Sequence, residues 1–73
     1  MIVVFTPPAK YIQQIAWACR DAGIDYAKAA QPVPSIACEF NDPIELITWH
    51  FAFVSAYGWV PYDDAELTDD RRL

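Results

Sequence analysis

The chain has few of the residues from which catalytic and cofactor sites are assembled. Two glycines among 73 residues cannot build the glycine-rich loop that cradles a phosphate. A single histidine, His50, is the one side chain whose ordinary pKa lies near neutrality. The two cysteines, Cys19 and Cys38, belong to no C-x-x-C pair, and no H-x-x-x-H partner accompanies them, so no metal site is expected. The absence of an Asp-x-Asp-x-Asp-Gly loop argues likewise against calcium. No cofactor is expected.

Basic side chains are also scarce. Five Lys and Arg face ten Asp and Glu, for a formal charge of −5 and a pI near 4.4. Lys10, Arg20, Lys28, Arg71 and Arg72 are scattered rather than gathered into a stripe, which disfavours direct binding of DNA or RNA. The run Ile2 to Phe5 is too short for a signal peptide and has no basic flank. No stretch approaches the roughly 18 to 20 apolar residues of a membrane span. A cytoplasmic protein without membrane contact is the expectation, and in that setting the cysteines are expected to be reduced.

What is present is apolar and aromatic: 55% hydrophobic and 15% aromatic residues, enough for one small folded domain. Residues 1–62 read as a single α+β domain and 63–73 as an acidic C-terminal tail. Ile2 to Phe5 is β-branched or aromatic, a short buried strand. Thr6, with Pro7 and Pro8 behind it, reads as the start of a helix that runs to about Asp21 or Ala22 and stops at Gly23. Ile12, Ile15, Ala16 and Cys19 recur at helical spacing and form its core face. Ile24 to Ala30 alternates loosely as a second strand, Gln31 to Ser35 is a proline-bearing turn, and Ile36 to Phe40 is a third strand. The predicted architecture is a sheet of about three strands with two helices on one face, in the order β-α-β-β-α.

The second helix is the most informative segment. Asp42 is a natural N-cap, Pro43 suits the first helical position, Glu45 completes a capping box, and Gly58 supplies the stop. At roughly 100° per residue, Ile44, Ile47, Phe51 and Val54 form one apolar stripe. Leu46, Trp49, His50, Phe53 and Tyr57 form another beside it. A surface helix needs only one. The first stripe is expected to close the domain's own core, and Leu46, Trp49, Phe53 and Tyr57 to lie at a contact with a second copy or another protein. A homodimer through that stripe is the leading expectation, with His50 at the contact's edge.

Trp17 falls among Lys10, Gln13, Gln14, Arg20 and Asp21 on the wet face of the first helix. It reads as an interface anchor, or as a ring lying flat on a neighbouring segment or stacked under Arg20. Glu39, Asp63, Asp64, Glu66, Asp69 and Asp70 form a set of carboxylates suited to a basic partner surface, or a solvated acidic tail. A Cys19–Cys38 disulfide would close a loop of about twenty residues and stabilise by roughly 3 kcal/mol. A catalytic pairing of His50 with one of these thiols would need a reactive, accessible cysteine, whereas both cysteines fall on apolar faces.

In size, acidity, small α/β layout and aromatic contact patch, the chain resembles small phage and mobile-element inhibitors of the anti-CRISPR type. That resemblance implies a non-enzymatic protein that blocks a host nucleoprotein complex by occluding a basic surface, such as one that holds nucleic acid. The alternative is a structural or accessory subunit of a larger enzyme or phage assembly. A small enzyme using His50 and a cysteine is the third reading.

Overall fold

The computed structural model describes residues 1–61 and the backbone of 65–68. Four strands and two helices follow one another as β1 (Ile2–Phe5), α1 (Ile12–Ala22), β2 (Asp25–Ala29), β3 (Ser35–Glu39), α2 (Pro43–Tyr57) and β4 (Ala65–Thr68). The first five keep the predicted order β-α-β-β-α, and the fold class is α+β as expected. The sheet order is β2-β3-β1-β4, with every pair antiparallel. The fourth strand lies within the segment read as an acidic tail, and pairs its backbone with β1 from Ile2 opposite Thr68 to Phe5 opposite Ala65.

Register sorts the sheet into two faces. Val3 pairs with Cys38 and Phe5 with Ile36, so all four side chains point the same way, and all are buried. α1 sets Ile12, Ile15, Ala16 and Cys19 against them, the four residues its periodicity picked out. α2 adds Trp49 and Phe53 to the same cluster. The opposite sheet face carries Val4, Ala27, Ala37 and Glu39, each half-buried.

The start of α1 departs from the sequence reading. Pro8 is extended, a short 3₁₀ turn spans Ala9–Tyr11, and the α-helix begins only at Ile12. A residue that precedes proline is pushed out of the helical region, so Thr6 and Pro7 each resist the first helical turn. The far end behaves as expected: Gly23 adopts φ 71°, and its N–H together with that of Ile24 closes on the carbonyls of Arg20 and Cys19.

α2 is capped as its sequence specifies. Asp42 Oδ1 accepts the Glu45 backbone N–H at 2.8 Å. Glu45 Oε1 accepts the backbone N–H of Asn41, also at 2.8 Å, so the reciprocal arm of the box reaches one residue ahead of the cap. Gly58 ends the helix at φ 77°. Beyond it, Trp59 turns back onto α1, where its indole Nε1 donates to Gln14 Oε1 at 2.7 Å and its ring meets Tyr11 and Phe53.

Candidate interaction surface

The two stripes of α2 exchange the roles expected of them. Trp49 and Phe53 are 4% and 1% exposed, whereas Ile44, Ile47 and Phe51 are 74%, 51% and 66% exposed. Leu46 and Tyr57 are half-buried against the core, and Val54 is half-buried as well. The contact assigned to Leu46, Trp49, Phe53 and Tyr57 is therefore the domain's own core.

An aromatic floor explains this choice. Phe5 and Phe40 come up from the sheet side to meet Trp49 at ring-centroid distances of 5.5 and 5.4 Å. Phe53 meets Trp49 at 5.2 Å, Tyr57 at 4.8 Å and Trp59 at 5.0 Å. The stripe with the larger rings offers more area to bury, and tilted or edge-on aromatic pairs add about 0.5 to 1.5 kcal/mol beyond that area. The usable sequence signal was side-chain size, since periodicity alone counts both stripes alike.

The outer stripe is consequently the exposed one. Ile44, Ile47 and Phe51 occupy successive turns over about 10 Å of helix, with roughly opposite azimuth to Trp49 and Phe53. His50 is half-buried and stands edge-on to Phe51 at 5.6 Å, beside the exposed stripe. Trp17 is 44% exposed on α1, in agreement with its place among polar neighbours in the sequence.

Beside the stripe, a groove of about 650 Å³ runs between the helices. Its walls are small or apolar: Ala18, Ala22 and Ile24 on one side, Thr48, Ala52 and Ala56 on the other. Asp21, Asp42 and Glu45 also line it. Asp21 lies 4.0 Å from Arg20 in an exposed pair, a contact that contributes little in water. The indole Nε1 of Trp49, which lines the groove as well, is buried without a hydrogen-bond partner among the described residues. No family model, curated protein or solved structure matches this chain.

The acidic candidates separate. Glu39 sits in β3 on the sheet face turned away from the helices, so it shares no surface with the outer stripe of α2. It stands directly across from Asp25, and the two like charges repel within the sheet. Glu66 belongs to β4, described in its backbone only, while Asp63, Asp64, Asp69 and Asp70 lie outside the described residues. The carboxylates next to exposed apolar surface are Asp21, Asp42 and Glu45.

Cys19 and Cys38 are both fully buried and face each other, the Cys19 thiol donating to Cys38 Sγ at 3.2 Å. Hydrogen bonding with Cys19, then burial, then the negative charge that Cys19 carries as a thiolate hold the Cys38 thiol well above its ordinary pKa. Among the described residues no cluster of three or more His, Cys, Asp or Glu has the makings of a metal site. No helix among them is long and apolar enough to cross a membrane.

Proposed function

We propose that this is a non-enzymatic binding protein that occludes a basic surface on a protein partner, docking through the outer face of α2. The observation that carries this reading is the exposed stripe Ile44, Ile47 and Phe51 beside a groove lined by Asp21, Asp42 and Glu45. Burying a large apolar side chain releases about 1.5 to 3 kcal/mol, so three on one helix face supply a contact with an apolar centre. The adjoining carboxylates favour a partner whose rim carries Lys or Arg, and the chain's charge of −5 draws such a partner in from a distance. The mode of action follows that of the small inhibitors the chain resembles: a stoichiometric cover over a site that otherwise receives nucleic acid.

A photoactivatable benzophenone residue at position 47 or 51, expressed in the native cellular setting, tests this directly. The reading expects one crosslinked protein shared by both positions and absent when the probe replaces Val33 or Tyr26. Binding of that purified protein should weaken with added salt, with Phe51→Glu and with Asp21→Lys. Crosslinks only to a second copy of this chain would make the outer stripe a homodimer face instead. Salt-independent binding indifferent to Asp21→Lys would mark an accessory subunit.

A further inference from the structure

Cys19 and Cys38 take no part in the proposed contact, yet the fold brings them together with care. Cys19 lies in the last turns of α1 and Cys38 one residue before the end of β3, on the sheet face that α1 covers. Neither sulfur is exposed, and they touch at 3.2 Å. They are the two cysteines of the chain, so each has one possible intramolecular partner. No third ligand joins them among the described residues to make a metal centre. Closing the contact to the roughly 2.0 Å of a disulfide requires about 1 Å of movement.

We propose that Cys19 and Cys38 form an oxidisable dithiol that hydrogen peroxide converts into an intramolecular disulfide, joining α1 covalently to the sheet. One sulfur, as thiolate, attacks a peroxide oxygen. An S–O bond forms, the O–O bond breaks, and the departing hydroxide takes up a proton to leave as water. The second sulfur then attacks the resulting sulfenic acid, forming the S–S bond and expelling the remaining oxygen as a second water. In balance, two thiols and one peroxide give one disulfide and two waters; the thiols lose two electrons and the peroxide gains them.

Burial sets the character of the reaction. Peroxide is small enough to enter through a brief local opening, whereas a bulky disulfide reagent is not. The raised Cys38 pKa keeps that sulfur protonated and burial of both sulfurs limits access, so the first step is slow and accelerates with pH. The second step is fast because the resolving sulfur is already in contact, so the sulfenic acid does not accumulate and further oxidation to sulfinic acid is bypassed. The thiol pair lies in the core and reacts alike whether or not α2 docks on a partner.

The test uses the intact wild-type chain, reduced and then exposed to excess hydrogen peroxide at pH 8 under native conditions. Apart from the oxygen that peroxide adds to the Met1 thioether, intact mass should fall by two hydrogens with no oxygen retained on either cysteine, both thiols should vanish together, and a peptide map should join the segments bearing Cys19 and Cys38. Closing this loop should raise the thermal midpoint by at least about 5 °C, reversibly with dithiothreitol. Retained oxygen on either cysteine, a covalent dimer, or no rise in midpoint would overturn the proposal. So would thiols that survive in the native state a treatment prolonged many times beyond what oxidises the same protein in denaturant. In Cys19→Ser, where Cys38 has no resolving sulfur, the loss of two hydrogens should disappear; if that variant fails to fold, the wild-type readouts decide the matter alone.

Discussion

Truncating Phe53 and truncating Phe51, two aromatic residues half a turn apart on one helix, should give opposite results. Phe53 is 1% exposed and its ring touches those of Trp49, Tyr57 and Trp59 at about 5 Å. Phe53→Ala removes the transfer free energy of a phenyl ring and leaves a cavity that three stiff neighbours cannot collapse into, a cost of about 3 to 5 kcal/mol. A domain of this length has roughly 4 to 11 kcal/mol of stability, so the loss consumes a large share of it and lowers the thermal midpoint by roughly 15 °C or more. Phe51 is 66% exposed, and Phe51→Ala should change stability by no more than about 0.5 kcal/mol, with the better helix propensity of alanine offsetting lost contacts. Urea unfolding followed by far-ultraviolet circular dichroism measures both. Phe53→Leu, which keeps most of the volume and should cost about 1 to 2 kcal/mol, serves if the alanine variant does not fold. A Phe51→Ala cost above about 2 kcal/mol, together with a mild Phe53→Ala, would refute the burial of the Trp49 stripe.

Two further outcomes follow from the thiol pair and the helix cap. The folded state keeps the Cys38 proton at a pH where the unfolded chain, with its thiol near the ordinary 9.0, has released it. Stability is therefore whole below about pH 9 and declines as pH rises beyond it, by up to about 1.4 kcal/mol per pH unit for this group. Urea midpoints between pH 7 and pH 10.5 should show the decline, and Cys38→Ala should flatten it; a slope unchanged in the variant would disprove the assignment. Asp42→Ala should cost about 1 kcal/mol, because the Glu45 N–H loses its acceptor, while Asp42→Ser should recover most of that. Equal losses for both variants would show that the cap oxygen contributes nothing.

The elements that were readable from sequence carry their signals locally. Ile2 to Phe5 has strand chemistry at every position, and α2 announces its start through Asp42, Pro43 and Glu45 and its end through Gly58. The core face of α1 needed only the spacing of Ile12, Ile15, Ala16 and Cys19. What stayed hidden depends on partners remote in the chain. Which stripe of α2 turns inward is decided by Phe5 and Phe40 on the sheet and by Trp59 beyond the helix, and no helical wheel contains them. β4 lies in an acidic stretch of low strand propensity, and its pairing comes from the free edge that β1 offers more than 60 residues earlier in the chain. The contact between Cys19 and Cys38 is equally a product of layer packing, since their spacing resembles no thiol motif.

The place of β1 in the sheet also bears on how the molecule is made. It leaves the ribosome before the other three strands of the sheet, yet its two neighbours are the third and fourth of them, so it waits while the β2–β3 hairpin, whose pairing is local, assembles ahead of it. Until Ala65–Thr68 is added, Ile2, Val3, Val4 and Phe5 present an open hydrogen-bonding rim of wholly apolar sequence. A chain cut short before Ala65 keeps its helices and hairpin but exposes that rim permanently. Self-adhesion of the truncated product through β1, rather than simple unfolding, is the failure this topology prepares.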